Sequence, residues 1–327
     1  MSTRSVILST GHGLPRTIVT NDDLAEQLET SDEWIAQRTG IRQRRVCQED
    51  EGSGSLSVLA GREALERSGL TATDIDMVIC ATVSGDFIWP ATACRVQEEL
   101  GITGAAFDVS AACAGFVYAM DVAASMIEAG RVTTALVIGV DCLTKQVDWT
   151  DRSTCVLFGD GAGAVVMQAA QNTDRGLLGS ILLSDGSGAK HIWVEVGGTR
   201  NPFGSPQAEG KSRCISMNGK EVYRFAVKAM GDACEKVLEK TGLTAGDIDL
   251  FVPHQANLRI ITAAAERLGL PEDKIYLNVQ KYGNTSAGSI PLALHEAVVE
   301  GRLKPGMTVL TVGFGAGLVW GANIIRW

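Results

Sequence analysis

GLTATDIDMVICATV, Gly69–Val83, returns 173 residues later as GLTAGDIDLFVPHQ, Gly242–Gln255. In each copy a helix-compatible run ends at glycine, a Thr-Ala turn follows, and Asp-Ile-Asp leads into an apolar run that reads as a buried strand. Two further pairs keep the same order. RVQEELGI (Arg95–Ile102) matches AAAERLGL (Ala263–Leu270), and TALVIG (Thr134–Gly139) matches TVLTVG (Thr308–Gly313). Their offsets are 168 and 174, so only short insertions intervene. Three matches in one order point to duplication. Helical and strand periods alternate along the chain, which predicts an α/β architecture. We expect two similar halves, residues 1–170 and 171–327, packed about a pseudo-twofold axis with a cleft where they meet.

The 327-residue chain is 45% hydrophobic and 20% charged, the balance of a soluble globular protein. Its net charge of −9 disfavours nucleic acid and anionic membranes as partners, so an acidic partner must meet a local basic patch. No apolar run reaches membrane-spanning length. The opening MSTRSVILSTGHGLPRT (Met1–Thr17) has no long apolar core or small-residue cleavage site. It reads as a first strand ending at the Gly11/Gly13/Pro15 turn, and cytoplasmic residence with reduced thiols is the expectation. The eight cysteines form no C-x-x-C pair, so no metal is expected and most should be small buried hydrophobes. The polar insertion VGGTRNPFGSPQAEGKSR (Val196–Arg213) suits a binding lid or a plain surface loop.

AFDVSAACAGFVYAM (Ala106–Met120) carries a strand through small residues into Cys113, where a helix begins. A core would normally place Leu or Val there, and small neighbours let something approach the sulfur. A helix N-terminus stabilises a thiolate and lowers the thiol pKa, and its N–H groups can bind a developing oxyanion. A small core residue is the plain alternative. If strand ends of both halves line one cleft, the copy of MVICATV should carry polar chemistry. LFVPHQANLRI (Leu250–Ile260) does so, with His254 and Asn257 directly after an apolar strand. His12 falls in a Gly-rich turn, His191 in a loop and His295 on an amphipathic helix, positions that suit surface or structural roles. YGNTSAGSIPLALHEA sets Asn284 among small residues after the strand-like KIYLNVQ. A buried amide there needs hydrogen bonds; a turn or cap is the alternative. TVGFGAGLVWGAN ends a strand in a Gly-rich turn centred on Phe314.

Six segments spread over nearly the whole chain resemble bacterial β-ketoacyl-acyl carrier protein synthase III. They are TSDEWIAQRTGIRQRR, DVSAACAGF, FGDGAGAVV, VPHQANLRI, YGNTSAGSIPLAL and GFGAGLVWG. The resemblance implies a thiolase-like α/β fold of two duplicated halves, a homodimer, and the first condensation of type II fatty-acid synthesis. It implies that Cys113 takes an acyl group from acyl-CoA. His254 and Asn284 would then hold the thioester carbonyl of malonyl-acyl carrier protein while CO₂ leaves, because donors help most where charge develops. Backbone N–H groups of Cys113 and Ala316 would form the oxyanion hole, and Phe314 would favour expulsion of the carboxylate. No cofactor is implied, CoA thioesters being substrates.

The same resemblance assigns CoA contacts to Thr30, Trp34, Arg38, Arg152, Gly219, Ala256 and Asn257. Trp34 and Arg38 are four apart on one helix face, an arrangement for stacking and cation–π contact around the adenine. It assigns carrier-protein contacts to Gln255, Ala256, Asn257, Leu258 and Arg259, with Arg224 and Arg267 as further basic candidates. Glu266 is a departure, standing where relatives can carry Lys. Trp89, in GDFIWPATAC, occupies a loop that in the family crosses the dimer interface and floors the partner's acyl pocket. There it would restrict the primer to short chains, acetyl-CoA first. Phe314 replaces the second catalytic cysteine of reversible thiolases, and Asn284 the second histidine of elongating synthases. A Cys-His-Asn ketosynthase or a starter-unit acyltransferase of secondary metabolism is the alternative.

Overall fold

The computed structural model describes residues 3–327. The first half is a five-stranded mixed sheet built from β1 (Thr3–Gly13), β2 (Met77–Ala81), β3 (Ala105–Val109), β4 (Thr134–Cys142) and β5 (Asp160–Gln171), in spatial order β1-β5-β4-β2-β3. The second half uses β6 (Gly176–Ser184), β7 (Leu250–Pro253), β8 (Thr308–Gly315) and β9 (Val319–Arg326) in the order β6-β9-β8-β7. The two orders superimpose. In both, the strand after the repeated Asp-Ile-Asp pairs in parallel with the strand that begins at the matched threonine, Thr134 or Thr308. That strand then pairs antiparallel with the next one along the chain.

The repeated motif has a physical reason in each copy. Helices α2 (Ser53–Ser68) and α5 (Gly219–Thr241) stop at Gly69 and Gly242, whose φ angles of 74° and 69° are left-handed and favour glycine. Thr71 with Asp74, and Thr244 with Asp247, then form identical capping boxes. Ile75 and Ile248 are buried. The last aspartate of each motif fastens the neighbouring strand: Asp76 accepts the Thr133 and Thr134 N–H groups, and Asp249 accepts that of Thr308.

The sequence reading of KIYLNVQ as a strand is corrected. Only a single parallel bridge, Phe251 to Ile275, stands where the first half has β3. A short helix, Val279–Tyr282, follows at once. It ends at Gly283, whose φ of 64° is left-handed and whose N–H donates to the Val279 carbonyl, just before Asn284.

Two helices lie between the sheets and form the shared core. They are α4 (Gly115–Glu128) and α7 (Ser289–Val299), buried along most of their length by Phe116, Val117, Met120, Ile290, Leu294 and their neighbours. A helix apolar on all sides has nowhere else to go. Each is entered through a tight turn whose first residue has a left-handed backbone, Ala112 (φ 45°) and Ser286 (φ 51°). The duplication therefore extends to the helix starts, which sequence matching did not align.

The halves are in backbone contact at Gly139 of β4. A Cβ there would lie 2.1 Å from the carbonyl oxygen of Ala287, and backbone cannot yield as a flexible side chain would. Gly139→Ala is expected to lose about 2–3 kcal/mol of unfolding free energy in denaturant titration, the scale of overpacking a tight core. Gly198→Ala, where a Cβ meets nothing within 4 Å, is the control and should be close to neutral. Equal stability of the two variants would contradict this contact.

Candidate active site

Cys113 sits in the turn Ala112–Ala114 ahead of α4. Ala112 before it has a left-handed backbone, and Ser286 of the other half donates its hydroxyl to Sγ at 3.1 Å. Helix-end position led the sequence reading to a lowered thiol pKa. The structure buries the sulfur, and burial pushes its pKa up to about 12, with the Ser286 hydrogen bond opposing the rise. Desolvation of the thiolate outweighs the stabilising contacts. The resting group is a neutral thiol.

His254 follows β7 and is 1% exposed. Its backbone N–H donates to the Val312 carbonyl, and its Nδ1 lies 2.6 Å from the Ser289 hydroxyl at the first residue of α7. Ser289 Oγ accepts the Gln255 N–H and has no other acceptor than Nδ1 among the hydrogen bonds of the described residues, so its hydrogen goes to Nδ1. That network assigns the proton of the neutral imidazole to Nε2, the free edge. Burial lowers the His254 pKa to about 3, so the ring is a neutral donor throughout the physiological range.

Asn284 is held at both backbone ends, donating to Leu157 O and accepting from Gly159 N–H. Its side-chain oxygen accepts the Ser286 N–H at 2.8 Å. The amide nitrogen is therefore the end left for the cavity. Cys113, His254 and Asn284 line one cavity of ≈490 Å³ together with Phe314, whose ring meets the imidazole edge-on at 5.5 Å.

The Gly-rich turn fits this geometry through Gly315, where a Cβ would come within 2.6 Å of the Cys113 nitrogen. Close passage brings Ala316 to the opposite side of Cys113, where a second cavity of ≈800 Å³ begins. Cys113 thus stands where the two cavities meet. Among the described residues, the loop and turn hydrogen bonds give neither the Cys113 nor the Ala316 N–H a carbonyl partner.

The mouth of the first cavity is cationic. The guanidinium carbons of Arg38 and Arg152 lie 4.6 and 4.9 Å from the Trp34 ring centroid, and neither arginine is paired with a carboxylate among the described residues. Thr30 lies nearby in sequence, its hydroxyl buried without a partner. Gly219, Ala256 and Asn257 line the same cavity, although Asn257 also caps a helix, α6 (Leu258–Leu268), through Arg259 N–H and donates to Arg38 O. The lining contains no carboxylate.

Two surface assignments are corrected. Gln255 is buried, its amide donating to Pro253 O and Tyr276 O and accepting from Asn278 and Val279 N–H; it ties β7 to the 276–279 segment and faces no surface. Arg267 is bound by Asp232 and Glu235 at 2.7 Å, so its charge is neutralised within the protein. Arg259 and Arg224 are exposed, the former stacked on Tyr223 and the latter near Glu221. Leu258 packs at Gly40. Trp89 is 83% exposed and lines neither cavity, whereas its neighbours Phe87 and Ile88 line the second.

Sequence reasoning missed Ser286, Ser289 and Asp141. Asp141 is buried beneath the site and accepts from Thr82, Ser84 and the Ala287 N–H, tying the two halves together. The small-residue run NTSAGS was the available signal, but nothing in it distinguishes a serine that holds a catalytic group from one that caps a helix.

Comparison with known proteins gives the chain a family. The sequence profile described as 3-oxoacyl-[acyl-carrier-protein (ACP)] synthase III matches residues 107–186, and that of its C-terminal part matches residues 238–327. Beta-ketoacyl-[acyl-carrier-protein] synthase III of Symbiobacterium thermophilum is 50% identical over 98% of this chain and 97% of its own. The chain belongs to the 3-oxoacyl-[acyl-carrier-protein] synthase III family. It is an acyltransferase-type condensing enzyme with a thiolase-like fold. The crystal structure of the synthase III from Thermus thermophilus superimposes with a TM-score of 0.92 at 45% identity, covering 98% of each chain. A priming β-ketosynthase of the R1128 polyketide pathway gives a TM-score of 0.91 at 36% identity, over 99% of this chain and 96% of its own. The synthases III of Symbiobacterium thermophilum and Thermus thermophilus are thus nearer in sequence than that ketosynthase, and the secondary-metabolism alternative is not favoured.

The lowered pKa of His254 has a sign that can be measured. Between its ordinary value of 6.5 and about 3, the unfolded chain binds a proton that the folded ring refuses. Stability therefore falls as pH drops through that window. His254→Gln should show a shallower acid loss of unfolding free energy than the parent over the same range. Parallel pH profiles for the two proteins would contradict a buried neutral imidazole.

Proposed function

We propose that the enzyme joins a short acyl group from acyl-CoA, with acetyl-CoA the first candidate, to malonyl-acyl carrier protein, giving 3-oxoacyl-acyl carrier protein, CO₂ and CoA. The observation that carries this reading is the place of Cys113 where two cavities meet, with imidazole and amide donors on one side and Ala316 on the other. CoA enters by the cationic mouth, its adenine at Trp34 and its phosphates at Arg38 and Arg152. Cys113 sulfur attacks the thioester carbonyl, whose oxygen is received by the N–H groups of Cys113 and Ala316. The thiol proton leaves with the CoA sulfur, and the acyl chain extends into the second cavity.

Malonyl-acyl carrier protein then uses the emptied first cavity. Nε2–H of His254 and the Asn284 amide donate to its thioester oxygen, so breaking the bond to the carboxylate leaves an enolate they stabilise. Phe314 against His254 keeps the carboxylate's surroundings apolar, which favours its departure as neutral CO₂. The enolate carbon attacks the acyl-cysteine carbonyl and the Cys113 sulfur leaves as thiolate, which takes up a proton from solvent to restore the thiol. Arg259 and Arg224 offer the acidic carrier exposed positive charge in a protein of net charge −9. The protein works in the cytoplasm as a homodimer, the exposed Trp89 of each chain reaching the partner's acyl cavity and limiting chain length there.

The test separates the two half-reactions. With radiolabelled acetyl-CoA, His254→Ala and Asn284→Ala should still form acyl-Cys113. Condensation should fall by about 100-fold or more, the scale of losing one preorganised donor. Failure of either variant to acylate, or normal CO₂ release, would overturn the division of labour. In the same assay, Trp89→Ala should accept longer primers than the parent, and an unchanged chain-length profile would remove Trp89 as the gate.

A further inference from the structure

The turns that open α4 and α7 are copies of each other, yet they differ at a position where the backbone asks for no difference. Ala112 and Ser286 are the matched residues, with left-handed φ angles of 45° and 51°. Alanine meets that conformation in the first half, so the turn itself has no need of the Ser286 hydroxyl. A serine in a turn can bond its own backbone. Ser286 Oγ instead crosses to the other half and donates to Cys113 Sγ at 3.1 Å, both residues being buried. A non-glycine residue kept in a left-handed conformation beside a reactive sulfur points to use of its side chain.

The hydroxyl is also fixed in place. The Ser286 N–H is held by the Asn284 side-chain oxygen at 2.8 Å, and the Ala287 N–H by Asp141 at 3.2 Å. Backbone of the first half lies against the next two residues: a Cβ at Gly139 would sit 2.1 Å from the Ala287 carbonyl oxygen, and one at Gly288 would sit 2.2 Å from the Gly161 carbonyl oxygen. A donor anchored in this way needs no reorganisation as charge develops beside it. A hydrogen bond to a neutral thiol is weak, whereas one to a thiolate is charge-assisted. The contact therefore strengthens as negative charge gathers on the sulfur, and interactions that grow in this way are the ones that accelerate a step.

We propose that Ser286 is a catalytic residue, a hydroxyl donor that stabilises the Cys113 sulfur as an anion in both acyl loading and acyl transfer. This rests on the reaction proposed above, in which charge gathers on Sγ twice. It does so as the sulfur attacks the acyl thioester, and again as the C–S bond of the acyl-cysteine breaks and its electron pair returns to Sγ. Ser286 keeps its own proton throughout and forms no covalent bond. Its part is thus separate from that of His254 and Asn284, which serve the carrier thioester alone.

Ser286→Ala and Ser286→Gly remove the hydroxyl and keep the N–H that holds Asn284. Ala112 shows that the turn accepts alanine, and glycine suits a left-handed backbone, so both variants should melt close to the parent. Asp141, which Ser286 also hydrogen-bonds, keeps its donors Thr82, Ser84 and Ala287, and His254 in the adjoining cavity is untouched. In single-turnover loading with radiolabelled acetyl-CoA, the maximal rate should fall by about 10-fold or more, the scale of one hydrogen bond to a charged group. The half-saturating acetyl-CoA concentration should not change. Condensation should fall too, whereas His254→Ala and Asn284→Ala spare loading. Alkylation of Cys113 by iodoacetamide at one fixed pH involves no CoA thioester, so it tests Ser286 whether or not acetyl-CoA is the primer. It should slow by about 3-fold or more, a smaller thiolate fraction outweighing the greater nucleophilicity of each thiolate. Alkylation at the parental rate, or a loss confined to condensation, would overturn the assignment.

Discussion

Everything at the site depends on backbone lying against backbone where the two halves meet. Gly139 admits the Ala287 carbonyl, and Gly315 admits the Cys113 amide. These contacts leave no room for a side chain, and so they fix the distance between elements far apart in sequence. Because of them Ser286 can reach Cys113, and the ends of β7 and β8 face the start of α4. The catalytic geometry is thus a consequence of duplication: each half buries one helix between the sheets, and the paired helix starts become the two walls of the cleft. The small residues around Cys113 answer to this packing as much as to substrate access.

Polar groups are oriented by the same economy. A buried amide or imidazole has one end satisfied by protein and presents the other to the cavity. Ser286 N–H takes the oxygen of Asn284 and leaves its nitrogen; Ser289 takes Nδ1 of His254 and leaves Nε2. Both serines belong to the same entry into α7. One turn therefore sets the direction of two donors and also touches Cys113, so that neutral donors stand ready to stabilise an anion as it forms without holding one beforehand.

Much of the fold was legible because the repeated motif is held by local chemistry. Thr71/Asp74 and Thr244/Asp247 are capping boxes that any reader of the sequence can see, and the helix-ending glycines are equally local. Cys113, His254 and Asn284 were legible as polar residues at the ends of apolar runs. What failed did so for tertiary reasons. Gln255 adjoins His254 in sequence, yet its amide is consumed by backbone groups of the 276–279 segment. Arg267 looks basic until Asp232 and Glu235 arrive from the neighbouring helix. KIYLNVQ has strand-like composition but only one bridging partner. The Cys113 thiol followed its burial, which composition around a helix start does not reveal.

The central claim is that Cys113 divides one continuous cleft into an acyl side and a carrier side. A crystal structure of the acetylated enzyme tests it most directly. The account predicts acetyl density on Sγ, its carbonyl oxygen within hydrogen-bonding distance of the Cys113 and Ala316 N–H groups and its methyl directed into the cavity bordered by Phe87 and Ile88, with His254 and Asn284 unengaged. An acetyl oxygen bound instead by His254 and Asn284, or an acyl group lying back toward Trp34, would contradict it.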